Sequence, residues 1–291
     1  MVILVYFAIV ACSVVQSASG KLFNRYSDNS TAFNAVKATS ALVLFFLMAV
    51  PNFSFHLPTL LFSLVYGLCL CASMYAGYRA ICIGPMALTS MLVSFSLVLP
   101  LLWGLTVGEE TLSPVRSVAL VLLLFAILLI NWDKLFPKRA QKEASEEKRR
   151  YGLWLFLVGV AFFANGVCSI LQKMHGTRYS DIYSEEFMLF AMLPCSVIFC
   201  AVALYRQRPT QIQNEPKLWL GALAGTTNGL ANFLTLTLAG LENATVLFPV
   251  ISAGTLLGAL LCGRFVFKEK LRYPHYAALL FGMLAVVLLK L

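Results

Sequence analysis

The sequence predicts an all-α integral membrane protein, with ten transmembrane helices built as two inverted five-helix repeats. Three observations carry that expectation. Sixty percent of the 291 residues are hydrophobic and only 12% are charged, apolar runs of spanning length recur along the whole chain, and the two halves match when one is laid over the other. A soluble domain carries roughly 25% charged residues, and a helix needs roughly 20 mostly apolar residues to cross a bilayer. With a mean hydropathy of +0.82, the apolar runs are too many and too long to be a buried core.

The predicted spans lie near 2–19, 33–50, 58–81, 86–107, 114–131, 151–173, 186–205, 217–239, 243–265 and 273–290. The first begins at Met1-Val2-Ile3 without a basic leader and reads as a true span rather than a cleaved targeting segment. Pro51 closes the second and Gly84-Pro85 separates the third from the fourth. Ser113-Pro114 and Tyr273-Pro274 open the fifth and tenth, where a proline's missing N–H costs nothing. The only long charged stretch, DKLFPKRAQKEASEEKRR from Asp133 to Arg150, divides the chain five spans from five. It sets the expected organisation: 1–132 as the first repeat, 133–150 as a basic cytoplasmic linker and 151–291 as the second repeat.

Orientation follows from the basic residues. The side reached after the odd-numbered spans holds roughly 17 Lys and Arg and the other side roughly 4, which places the linker in the cytoplasm and both termini outside. A net charge of +9 therefore marks membrane orientation and not nucleic-acid binding.

The repeat shows in the tetrapeptide RYSD, present at Arg25–Asp28 and again at Arg178–Asp181, 153 residues later. At that offset span one falls on span six and span two on span seven. Glu110-Thr-Leu-Ser-Pro114 parallels Glu269-Lys-Leu-Arg-Tyr-Pro274 near the far end of each half. Five is odd, so the second copy enters the membrane from the opposite face, the arrangement on which many secondary transporters are built.

Polar residues within spans mark the inside of a bundle. Asn228, Asn232 and Thr235 share one face of span eight, and Asn165, Ser169 and Gln172 share one face of span six. At the repeat offsets these fall on Cys71, Tyr75 and Tyr78 of span three and on Cys12, Gln16 and Ser19 of span one. The predicted substrate-binding set is Gln16, Tyr75, Tyr78, Ser90, Asn165, Ser169, Asn228 and Asn232, lining a central cavity; interhelical hydrogen bonding is the alternative use of the same groups. Gly221, Gly225 and Gly229, and Gly254 with Gly258, read as packing seams. No Asp or Glu sits in the middle of a span, so the usual proton carrier of a coupled pump is not offered. Lys37 and Arg79 are the best-placed cations for an anionic group, with snorkelling to the interface as the alternative. The eight cysteines fall in or at the ends of apolar runs and read as small packers, and His56, His175 and His275 form no ligand cluster. No metal, cofactor or catalytic set is expected.

Two halves of five spans, a basic linker, and in each half a Glu followed shortly by a helix-opening Pro resemble the drug/metabolite transporter superfamily, in its ten-helix EamA-type branch. Asn243-Ala244-Thr245, Pro249 and Glu269-Lys270-Leu271 resemble that family's final-repeat motif, whereas the first half has Leu92 at the matching Pro position. The resemblance implies a basket-like bundle moving small metabolites such as amino acids or nucleosides, by export or uptake. The expected function is thus a multi-pass secondary transporter of the plasma or bacterial inner membrane. Its partners would be a small-molecule substrate, the lipid bilayer and a coupling ion or proton gradient, with no nucleic acid, and a monomer would suffice. A non-transporting scaffold or sensor subunit is the runner-up. A membrane-embedded enzyme ranks below both, because no nucleophile–base pair, metal cluster or paired carboxylates are found.

Overall fold

The computed structural model describes residues 2–27, 29–83, 89, 92–93, 95–108, 113–130, 146–179, 182–206, 215–268 and 273–290. Among these residues all regular structure is helical. The helices are α1 (Val2–Phe23), α2 (Ser30–Ala49), α3 (Leu57–Ile83), α4 (Val98–Thr106), α5 (Pro114–Ile130), α6 (Glu146–Tyr179), α7 (Ser184–Arg206), α8 (Trp219–Leu241), α9 (Ala244–Phe265) and α10 (Tyr273–Lys290). Six of them, α1, α2, α3, α6, α7 and α9, are long and apolar enough to cross a membrane. The bilayer explains why helix is the whole repertoire: hydrocarbon offers backbone groups no partner, so a crossing segment must bond to itself.

Local chemistry sets the ends. Asn29 caps α2, its side chain accepting from the Ala32 amide at 3.1 Å. Pro51 sits in a 3₁₀ turn, Val50–Asn52, that stops the helix. Pro114 opens α5, and the Ser113 hydroxyl accepts from the Arg116 amide at 3.3 Å. Of the predicted span 86–107, the described part is chiefly a 3₁₀ turn, Phe95–Leu97, running into α4. Ser90 lies outside the described residues, as do Asp28 and Asp181.

The chain forms two compact units, each drawn from both halves of the sequence. The first comprises Met1–Cys71 and Leu171–Glu242, the second Ala72–Ile170 and Asn243–Leu291, so α3 and α6 contribute to both. In the first unit α8 packs on α1 and α2, and α2 packs on α7. The close pairs give the directions. Gly221, Gly225 and Gly229 of α8 meet Val36, Ser40 and Phe45 of α2 in the same order along the chain, so these two helices run parallel. Thr39 with Ser196 and Ser54 with Glu186 set α7 antiparallel to α2. Tyr66 with Gln172 and Thr59 with His175 do the same for α3 and α6. In the second unit α10 packs on α5 and α9 packs on α10 and α4, around Leu97, Leu123, Ile127, Ala253 and Ala285.

At Gly225 the helices meet backbone to backbone. A Cβ there would overlap the Lys37 carbonyl and the Ser40 hydroxyl, whereas a Cβ at Gly159 meets nothing within 4 Å. Gly225→Ala is therefore expected to lower stability by about 1–3 kcal/mol through forced separation of α2 and α8, and Gly159→Ala to leave it level or slightly raised. Thermal unfolding of the detergent-purified protein checks both; equal melting of the two variants would show that the seam is not tight.

Candidate functional site

Side chains from α3, α6 and α8 join inside the first unit. The Tyr66 hydroxyl donates to Asn232 Oδ1 at 3.0 Å, and Gln172 Nε2 reaches both the Tyr66 hydroxyl, at 3.3 Å, and Asn232 Oδ1, at 3.4 Å. Asn232 Nδ2 donates to the Asn228 carbonyl one turn back, at 2.9 Å. Tyr66 is 1% exposed and Gln172 4%, so every partner counts: an unpaired polar group costs about 1–3 kcal/mol when buried. The network is satisfied except at its rim. Among the described residues Gln172 Oε1 has no donor, and the second N–H of the Asn232 amide has no acceptor. One acceptor and one donor are thus left open at the edge of the network.

Toward the ends of the same helices lies a second cluster. The Thr59 hydroxyl sits between His56 Nδ1, at 2.9 Å, and His175 Nε2, at 3.1 Å. His56 stacks on Tyr183 with ring centres 4.4 Å apart, and His175 packs against Phe187 at 4.5 Å. Glu186 accepts from the Ser54 amide through one oxygen, at 2.9 Å, while its other oxygen and His175 Nδ1 are buried with no partner among the described residues. Histidines that look scattered in sequence thus meet on one hydroxyl. No group of three His, Cys, Asp or Glu placed to hold a metal ion occurs among the described residues.

Two lysines are buried in this unit, with opposite surroundings. Lys173, 7% exposed, donates to the carbonyls of Ala239 and Glu242 at the C-terminal end of α8, where a helix dipole favours a cation. Lys37, 9% exposed, projects from the eighth position of α2, with Cys195 of α7 nearby. Cys195 in turn donates to the Gly67 carbonyl at 3.4 Å and accepts from Cys71 at 3.1 Å. Cys12, Cys69, Cys71, Cys168, Cys195, Cys200 and Cys262 are free thiols.

The other expected residues fall as follows. Asn228 contributes its carbonyl to the network and is half-buried. Gln16 is half-buried and no hydrogen bond joins it to the network. Tyr75 is 45% exposed, and the Tyr78 side chain lies outside the described residues. In the second unit Asn165 donates to the Ser96 hydroxyl at 2.6 Å, and Ser169 bonds back to the Asn165 carbonyl at 3.4 Å. The sequence passed over Tyr66, which sits in an apolar run; the signal was there, since a tyrosine in a span must find a partner for its hydroxyl. A groove of about 630 Å³ between α2 and α7, lined by Val36, Thr39, Val43, Leu47, Cys200 and Leu204 among others, shares no lining residue with the network. Its walls are almost wholly apolar, which suits hydrocarbon and not a polar solute.

The first RYSD copy is a structural tie. Ser27 donates to one Glu215 oxygen at 2.7 Å and Asn29 to the other. The Lys217 ammonium lies 3.4 Å from the centre of the Tyr26 ring. Its hydrogen bond and its charge hold the Tyr26 hydroxyl below the ordinary tyrosine pKa. The segment after α1 is thereby pinned to the one before α8.

No family model matches this sequence, and no curated protein matches it. A solved structure described only as "Crystal structure of protein" superposes with a TM-score of 0.75 over 100% of this chain and 98% of that one, at 13% identity. The likeness is one of fold. Separately, six apolar helices of spanning length mark the chain as a helical multi-pass membrane protein.

Tyr66→Phe removes the hydroxyl on which Gln172 and Asn232 converge and is expected to cost about 1 kcal/mol. Comparing its thermal unfolding with that of Tyr75→Phe, whose ring is partly exposed, tests the network; a Tyr66→Phe protein that melts with the wild type would dissolve it.

Proposed function

We propose that the chain is a secondary transporter of the drug/metabolite transporter kind. It moves a small polar organic metabolite, of the size of an amino acid or nucleoside, by alternating access. The observation that carries this is the rim of the Tyr66–Gln172–Asn232 network, where, among the described residues, one acceptor on α6 and one donor on α8 are left unmatched. Hydrogen-bond glue alone would close on itself, because an open valence in hydrocarbon costs stability without return.

The finer architecture belongs to the same proposal. Three pairs of helices of equal rank in the two halves pack on each other, α2 on α7, α4 on α9 and α5 on α10, which supports a two-fold relation between inverted repeats. The basic linker is then cytoplasmic and both termini lie outside.

Purified protein reconstituted in liposomes, offered radiolabelled amino acids and nucleosides with and without a proton gradient, is expected to accumulate at least one of them. Asn232→Ala should lower that uptake roughly tenfold through loss of a polar contact to solute. Thr227→Ala should leave it unchanged, because that hydroxyl bonds back to the Leu223 carbonyl of its own helix. Absence of uptake under every gradient would sink the transporter reading.

A further inference from the structure

We propose that Lys37 is the counter-ion for a monoanionic, carboxylate-bearing solute held in the first unit beside α7. The proposal rests on the transporter reading and narrows it to a substrate class. Three observations point the same way. Lys37 is 9% exposed, and the described residues give its ammonium no hydrogen-bond or ion-pair partner. The eighth residue of a helix lies about 10 Å along its axis, and about nine-tenths of this residue is covered by the fold around it. The fold elsewhere satisfies a buried ammonium with two carbonyls, at Lys173, so leaving Lys37 unmatched is not a general habit of the unit.

Charge balance sets the class. One unmatched cation in a medium of low dielectric is neutralised by one negative charge, whereas a phosphate dianion would leave the site charged again. The rest of the solute is polar. On the α3 stretch that carries Gly67, whose carbonyl Cys195 engages, Tyr66 presents the network with its open donor and acceptor. A carboxylate on a small body bearing a hydroxyl, carbonyl or amide fits that provision.

The test uses the full-length purified protein and acids paired with their own carboxamides: L-lactate with lactamide, benzoate with benzamide, and N-acetyl-L-alanine with its amide. Thermal unfolding of the wild type is expected to shift upward with at least one acid and not with its amide. Lys37→Arg should keep that response, and Lys37→Met should weaken the apparent affinity roughly 10- to 100-fold, the loss of one charge-assisted hydrogen bond. Without ligand, Lys37→Met should melt no lower than the wild type, since hydrocarbon in place of a buried unpaired charge is neutral or stabilising; a purely structural lysine would do the opposite.

The proposal is overturned if amides act as well as acids, if no acid acts, or if Lys37→Met keeps the acid response. A Lys37→Met protein that fails to fold also counts against it, and the paired comparison on the wild type remains decisive. Liposome uptake of neutral solutes with no acid response would remove the anion site and leave transport standing; acid binding with no uptake of any solute would remove transport alone.

Discussion

Hydrocarbon gives an unpaired polar group no water to fall back on, and the inside of the first unit is arranged around that fact. Its hydroxyls mostly satisfy themselves. Thr226, Thr227, Thr235 and Thr237 of α8 each donate to the carbonyl four residues back, which makes them nearly apolar from outside. Groups too large for that solution reach across helices, as Tyr66, Gln172 and Asn232 do. A small remainder stays open: the Lys37 ammonium, one edge of His175, one oxygen of Glu186 and the rim of the amide network. Function is sought in that remainder, because it is where the fold forgoes stability it achieves elsewhere.

The spans were legible because the bilayer imposes a length that the sequence must honour residue by residue. The predicted 33–50 and 186–205 became α2 at Ser30–Ala49 and α7 at Ser184–Arg206, with Asn29 and Pro51 marking the former's limits. One end that differs is that of α6, which begins at Glu146 rather than at 151, since charged residues can extend a helix that hydropathy alone would end. Mixing of the halves within each unit was not legible. Periodicity reports which face of a helix is polar but not which other helix faces it, and Asn232 pairs with Tyr66 rather than with any residue the repeat offsets align to it.

The histidines show the same limit. Nothing in the spacing of His56 and His175 joins them; the link is Thr59, one turn into α3, between two rings brought in from different directions. The polar strip of α8 was legible as a strip, while its division into a carbonyl partner (Asn228), a network member (Asn232) and a self-bonded hydroxyl (Thr235) came only with the rotamers. The RYSD words supplied the register of the repeat, and the first copy then proved to be a fastening. Its serine and tyrosine hold Glu215 and Lys217, so those two side chains are spent on the connection between α7 and α8.

The seam and the unmatched lysine are one construction. Gly225 of α8 lies directly over the Lys37 carbonyl, and the Ser40 hydroxyl donates both to that carbonyl, at 3.0 Å, and to the Ala222 carbonyl across the seam, at 3.2 Å. The backbone of the residue with the free ammonium is thus held on two sides by the closest helix approach in its neighbourhood. Such fixation matters for an electrostatic site: a cation that need not move on binding loses little to reorganisation, and its attraction for an anion is set by geometry already in place. A side chain at position 225 would part the helices and let the Lys37 backbone drift, so the glycine that reads as mere packing is also what aims the charge.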